Sequence, residues 1–376
     1  MKQITIISDF CYPNFAGGLS KHVFDLLMNF PEEEFNLKLV TRSKNPGSDY
    51  FAKDEKAEEH YVRFFQKGNV KEMSLGSIIN PFRYIGSLKN ADCVLLQYPV
   101  MGVVGGLVAK LMGKKIYYHY HGPVHIEYKY KTGKEGFRYK LMWGIQKITA
   151  MLSDRVLVHS DYMKDIAIKE HKIRESKFGF VPPYIDKTLT SDKKEITRSE
   201  NEKIQLLIPR RLTARTGVIE FLDQFLKSDK NFRDKFIIYV TGCGELAPEV
   251  TKLADSNPEH IKFLGFVSYE ELKELYHQVD GVIVPTLDLE GCGLVILEAL
   301  SCGTSVIVSK TCGGGYEFVR KNMGKDFIFN VFDHESVIRT LEFIAKKSYD
   351  PEYYKDIASR YDIKKMIKHY TNDILN

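Results

Sequence analysis

Short β-branched runs, Gly-containing turns and stretches of helical periodicity alternate along the whole chain, the pattern of parallel α/β architecture. In the first half the apolar runs predict strands at Gln3 to Ser8, Leu37 to Thr41, Cys93 to Gln97, Lys115 to His119 and Arg155 to His159. In the second half they predict strands at Ile204 to Ile208, Phe236 to Thr241, Ile261 to Phe263, Gly281 to Pro285 and Ser305 to Ser309. Two βα series of similar size predict two domains. Between them FVPPYIDKTLTSDKKEITRSENEK begins with paired prolines and continues charged and Ser/Thr-rich, the composition of an exposed linker. The boundary is therefore expected near residue 190, with domains at 1–189 and 190–357 and a last helical segment at 358–376. No internal repeat or low-complexity segment interrupts this plan.

Length and composition agree with two ordinary domains: 376 residues, 44% of them hydrophobic. A formal net charge of +5 is mild and gives no reason to expect a nucleic-acid partner. The six cysteines form no C-x-x-C pair and have no histidine spacing suited to zinc, so reduced, buried thiols in a cytoplasmic protein are expected. The start, MKQITIISDF, lacks the long apolar core of a signal peptide, and no stretch reaches the length of a spanning helix.

The most informative segment is EGCGLVILE, from Glu290 to Glu298, followed by ALSCGTSVIVSK. Gly291 and Gly293 let backbone approach a ligand closely, and the apolar run from Leu294 to Leu300 reads as a helix whose first N–H groups are free. Such an end attracts phosphate. Carboxylates at its mouth and farther down it suit hydroxyl groups on either side of a diphosphate, which implies a nucleotide sugar. A Gly-rich connection merely solvated by its two glutamates is the competing reading.

Ligands of open α/β sheets sit beyond the carboxyl ends of the strands. After the first strand, Gly17 and Gly18 precede a helical pattern, a pair that either cradles an anion or makes a plain turn. After Ile204 to Ile208 comes a cationic loop with Arg210, Arg211, Arg215 and Thr216, and arginine grips a diphosphate bidentately. Solvated surface arginines explain it equally well. Gly242 and Gly244 follow the next strand and are open to the same two readings. His119 and His121 lie in YYHYHGP on one side of an extended stretch, and His121 is a candidate partner for a reacting sugar.

Taken in order, these segments resemble the retaining glycosyltransferases of family 4. The resemblance runs through AGGLSKHV, YHYHG, LSDRVLVHS, RRLTARTG, VTGCGE, FLGFVSYEELKELYHQVD and EGCGLVILEALSCGTSVIVSKTCGG. It implies a GT-B fold, α/β with two Rossmann-like domains facing a cleft, and a C-terminal helix crossing back to the first domain. By matching position it implies Glu298 on the ribose hydroxyls and Glu290 at the donor sugar. The amides around Gly291, Cys292, Gly293 and Leu294 would hold sugar and phosphate, Gly18 would face the diphosphate, and His121 the transferred sugar. Arg211 matches the phosphate-gripping arginine, with Arg210 its substitute if the loop register differs by one. No cofactor or metal is implied.

Two departures stand out. Thr216 occupies the position where the family usually has lysine, and losing one such cation costs about 3 kcal/mol of leaving-group stabilisation unless Arg210 or Arg215 replaces it. VPPYID stands where the family more often has Asn-Gly before Asp186, which affects hinge geometry. The activity implied is transfer of a sugar, with retention, to a hydroxyl of a glycan or lipid-linked acceptor in surface polysaccharide or glycoconjugate synthesis. On the acceptor side, EYKYKTGKEGFRYKLMWGIQKITAML mixes basic and apolar residues. It reads either as a helix packed on the sheet with a solvated face or as a peripheral contact with the inner face of an anionic membrane. Two other classes compete: a catalytically weak binding subunit, which Thr216 keeps open, and a sugar-nucleotide epimerase or phosphorylase on the same architecture.

Overall fold

The computed structural model describes residues 1–11, 18–43, 69–185, 202–346 and 350–375. The chain forms two compact units. One comprises Met1–Lys129, Gly133–Pro182 and Lys364–Asn376, and the other Tyr130–Thr132 and Pro183–Ile363. The expected linker lies largely at 186–201, outside the described residues, as does Asp186.

The first unit is built on seven strands: β1 (Lys2–Ser8), β2 (Phe35–Arg42), β3 (Val70–Met73), β4 (Cys93–Leu96), β5 (Lys115–His119), β6 (Arg155–Val158) and β7 (Phe178–Phe180). Their order is β3-β2-β1-β4-β5-β6-β7, and every pairing is parallel. The second unit orders β8 (Ile204–Pro209), β9 (Phe236–Thr241), β10 (Ile261–Gly265), β11 (Gly281–Val284), β12 (Ser305–Ser309) and β13 (Ile328–Phe329) as β10-β9-β8-β11-β12-β13, again all parallel. Central strands such as β4, β11 and β12 are buried at every position, because helices cover both faces of a parallel sheet. In each sheet the strand order reverses once, between β1 and β4 and between β8 and β11. Those reversals open the crevices in which ligands of such sheets sit.

Three strands escape the sequence reading, and all are short edge strands. β3 carries Lys71 and Glu72, while β7 and β13 have three and two residues, too few for a β-branched run. The final segment also differs from expectation. Instead of one helix across 358–376, a helix Pro351–Ser359 ends and a second, Ile363–Leu375, begins after a break. Ile185 causes the break: its N–H donates to Tyr361 O at 2.8 Å and its carbonyl accepts from Ile363 N at 3.2 Å, holding 361–363 extended. The basic segment likewise forms two helices, Val124–Thr132 and Phe137–Leu152, because Gly133 closes the first in the left-handed region at φ 66°.

Helix Ile363–Leu375 belongs to the first unit from Lys364 onward, with Met366, Ile367 and Tyr370 buried. The Tyr370 hydroxyl lies 3.0 Å from His22 Nε2 and also bonds His119 Nδ1. Its ring packs near Phe30, at 6.3 Å between centroids.

The first unit also buries His171 beside Tyr120, Trp143 and His125, with neither His171 ring nitrogen hydrogen-bonded among the described residues. Burial pushes the ring from 6.5 down to about 3, helped by His125 and Lys147. The folded form therefore holds a neutral ring where the unfolded chain would take a proton. Stability from this group is present above pH 6.5 and is lost as pH falls from there toward 3. Its slope is about 1.4 kcal/mol per pH unit. His171→Phe should flatten the acid limb of the urea-unfolding free energy by about that slope; an unchanged limb would show that His171 does not titrate this way.

Candidate functional site

The second unit gathers its polar side chains at the β8/β11 reversal. Arg210 directly follows β8, and its guanidinium reaches across to Thr286 Oγ1 at 2.9 Å and forms an ion pair with the Glu290 carboxylate. Both side chains are nearly buried, at 9% and 15% exposure, so the pair is held away from water. Arg210 Nε is buried without a partner among the described residues. Thr286 is fixed in turn, its carbonyl accepting from the hydroxyls of Ser309 and Thr311.

Glu290 is aimed by its neighbour. Leu289 is buried at φ 59°, a conformation unusual for a residue with a side chain, and its N–H donates to Asp288 Oδ1 at 2.8 Å. Burial alone would raise the Glu290 carboxyl, but Arg210, Arg215 and the Gly293 N–H together hold it below the usual carboxylate range. The carboxylate is ionised at neutral pH.

From Gly293, at φ 68°, the helix Leu294–Ser301 begins. The Leu294 and Val295 amides head it and have no intrahelical acceptor. Glu298 lies one turn down, and the buried Tyr276 hydroxyl donates to its Oε2 at 2.9 Å. Gly291 and the buried Cys292 complete the turn, and Gly314 N–H donates to Glu290 O at 2.9 Å. One turn thus carries two carboxylates and a helix start, and an arginine from the end of β8 reaches it.

The other residues singled out in the sequence divide clearly. Arg211 is exposed, with no side-chain partner among the described residues. Arg215 Nη1 lies 3.5 Å from the carbonyls of Asp288 and Leu289, close enough to act on Glu290 through its charge. Thr216 is buried, and its hydroxyl lies 2.7 Å from both Arg211 O and Thr213 O, so it is occupied in shaping the loop. Gly242 and Gly244 are explained by chain packing: a Cβ on either would fall 2.0 and 2.1 Å from the carbonyls of Arg210 and Leu212. Leu212 N–H also donates to Cys243 O at 2.9 Å, so the two loops are laced together beyond the strand ends.

In the first unit His121 follows β5, and its Nε2 lies 2.8 Å from Gln97 Oε1, just beyond β4. Burial, with His159 adding to it, pushes the ring well below 6.5, so His121 is a neutral hydrogen-bonding group. Gln97, His121, Leu19 and Glu127 help line a small cavity of about 90 Å³. Gly18 is the first residue of the helix Gly18–Asn29, whereas Gly17 lies outside the described residues. Asp9, buried after β1, accepts from Met101 N–H at 3.0 Å, and burial outweighs that bond and Arg42 to push its carboxyl up to about 6.

Asp9, Gln97, Tyr276, Thr286 and Leu289 were not singled out from the sequence. The position just past a strand end would have found Asp9, Gln97 and Thr286; Tyr276 and Leu289 leave no such signal.

Two all-parallel α/β units in one chain, each with polar groups beyond its strand ends, are the arrangement expected of a GT-B glycosyltransferase. Comparison with known proteins agrees. Residues 190–361 match the family model for glycosyl transferases group 1, and residues 16–189 match that for glycosyltransferase family 4. The chain is similar to an uncharacterized glycosyltransferase, MJ1607, of Methanocaldococcus jannaschii, 29% identical over 43% of this chain and 42% of that one. It is also similar to the Escherichia coli UDP-Gal:alpha-D-GlcNAc-diphosphoundecaprenol alpha-1,3-galactosyltransferase, 22% identical over 86% and 82%. The aligned stretch thus spans under half of the archaeal relative. Among solved structures, Anabaena Alr3699/HepE in complex with UDP and glucose matches with TM-score 0.74 and 16% identity, covering 100% of this chain and 99% of that one. Both matches are to glycosyltransferase families, one spanning the second half of the chain and the other the first half.

Removing the Arg210 side chain should leave a buried Glu290 with only Arg215 and the Gly293 N–H to offset its charge. Arg210→Ala is expected to cost about 3–5 kcal/mol in urea unfolding, and Glu290→Gln in the same chain to restore part of it. Glu290 contributes stability above its unfolded value of 4.5, lost as pH falls through its lowered folded value, so the penalty should shrink as pH falls below 4.5. A penalty unchanged by Glu290→Gln would show that the pair is not its cause.

Proposed function

We propose that the chain transfers a sugar, with retention, from a nucleoside diphosphate sugar to a hydroxyl of a glycan or lipid-linked acceptor in building a surface polysaccharide or glycoconjugate. The carrying observation is the turn Glu290–Glu298, where an ionised, arginine-paired carboxylate, free helix amides and a tyrosine-oriented carboxylate follow one another. Glu298 would take the ribose hydroxyls and Glu290 the donor sugar, with the amides of Gly291 to Leu294 on sugar and phosphate. Arg211 is exposed and available to the diphosphate, while Arg210 holds Glu290 in place. In the reaction the bond from the anomeric carbon to the diphosphate oxygen breaks, the acceptor oxygen bonds to that carbon on the same face, and the acceptor proton passes to the departing diphosphate. Arg211 and the helix amides stabilise the charge on that leaving group. No metal or cofactor is required in this scheme, and His121 would hydrogen-bond the transferred sugar.

A second reading, a binding subunit with little turnover, is favoured by one observation: Thr216 supplies no charge and spends its hydroxyl on the loop. Calorimetric titration with a panel of nucleoside diphosphates and their sugars distinguishes the readings when paired with a turnover assay on the single chain. The wild type should bind one base selectively, and Glu298→Ala should weaken that binding roughly 10- to 100-fold. Binding with no turnover on any acceptor would select the subunit reading. No binding by the folded wild type would overturn both.

For the acceptor side we place the chain in the cytoplasm with peripheral contact to an anionic membrane. Helix Phe137–Leu152 exposes Phe137, Leu141, Ile148 and Met151 at helical spacing, with Arg138 and Lys140 beside them, while Trp143 turns inward to donate to Glu170 O at 3.0 Å. No helix among the described residues is long and apolar enough to cross a membrane. Binding to vesicles containing phosphatidylserine should exceed binding to neutral ones at least tenfold at low salt, at about 1 kcal/mol per basic residue engaged. Phe137→Ser with Leu141→Ser should abolish it; equal binding to neutral vesicles would remove the electrostatic part of this reading.

A further inference from the structure

The first unit holds a histidine cluster that the donor chemistry does not use. His22 comes from the helix Gly18–Asn29, His119 ends β5 and His159 directly follows β6. His22 and His119 are buried and His159 is half-buried, and one ring nitrogen from each lies within 4.8 Å of the others. Three residues far apart in sequence therefore aim imidazoles at one point.

For His159 and His119 the hydrogen bonds show which ring nitrogen is left over. His159 Nδ1 lies 2.9 Å from Val181 O, and because a carbonyl only accepts, that nitrogen carries the proton and Nε2 keeps its lone pair. His119 Nδ1 is engaged by the Tyr370 hydroxyl, while its Nε2 is buried and has no hydrogen-bond partner among the described residues. These two rings, each tied at one nitrogen by a carbonyl or hydroxyl, have the arrangement of metal-ligating histidines. An ordinary stacked core would leave no polar nitrogen of His119 buried and unsatisfied without cost.

We propose that His22, His119 and His159 form a binding site for a divalent first-row transition metal ion, Zn²⁺ being the natural occupant. Three neutral nitrogens without a carboxylate select such ions over Ca²⁺ or Mg²⁺. Ligand atoms around tetrahedral zinc stand roughly 3.3 Å apart, from zinc–nitrogen bonds of about 2.0–2.1 Å, so the rings close in by rotation on binding. The ion would tie the helix Gly18–Asn29 to the ends of β5 and β6. It would also fix the ring of His119, on which His121 stacks at 4.1 Å between centroids. The role is positional, and it is separate from the diphosphate, whose departure needs no metal in the scheme above.

The test uses the full chain without a histidine tag, stripped with chelator, reloaded with Zn²⁺ or Co²⁺, desalted and analysed for metal. About one equivalent should remain, and metal should raise the unfolding temperature. His119→Phe with His159→Phe should lower the affinity at least 100-fold, whereas His260→Phe with Asp234→Asn, in the group Asp234, Glu259 and His260, should not. A folded wild type that keeps under about a tenth of an equivalent overturns the proposal. So does retention in the first variant with loss in the second. If the first variant does not fold, X-ray absorption of the zinc-loaded wild type decides: nitrogen scatterers near 2.0 Å support the site, and sulfur near 2.3 Å assigns the metal to cysteine and overturns it.

Discussion

The ion pair between Arg210 and Glu290 is the contact on which the second unit's polar site depends. It spans the line where the strand order reverses, joining the end of β8 to the loop after β11. Without the guanidinium, a carboxylate at this depth would favour its neutral form, because burial penalises charge. With it, the negative charge persists in a nearly dry position. The surrounding bonds serve the same end: Thr286 steadies the guanidinium, Gly293 N–H helps hold the carboxylate ionised, and the strained Leu289 backbone sets the angle of approach. In the proposed donor site, a sugar hydroxyl offered to Glu290 would meet an acceptor whose geometry is already set.

Much of this was legible in the sequence because it rests on local pattern. Buried parallel strands such as β5, β9 and β12 are continuous apolar runs, and their ends could be read to the residue. EGCGLVILE announced a turn followed by a helix because glycine and apolar periodicity are one-dimensional signals. What could not be read were features decided by distant partners. The break between the last two helices depends on Ile185, far upstream, and the conformation of Leu289 carries no compositional mark. Edge strands β3, β7 and β13 are too short or too polar to register.

Glycine was the residue type whose meaning changed most on inspection. Gly242 and Gly244 lie in the loop expected to meet a ligand, yet the neighbouring chain already requires them, since their missing side chains admit two backbone carbonyls. A glycine that lets one loop press on another and a glycine that lets a ligand approach look identical in sequence. Arg210 and Arg211 pose the same difficulty: adjacent in the chain, one turns inward to a carboxylate and the other stays in solvent.

The placement of Tyr370 bears on how the chain comes to be folded. The first unit is synthesised first, but Met366, Ile367 and Tyr370, which seal part of it, emerge from the ribosome only after the whole second unit has been made. Until then His22 and His119 lack the hydroxyl that bridges them, and Phe30 lacks its ring neighbour. The amino-terminal half is thus begun early and finished last, and its completion waits on chain that has first passed through its neighbour.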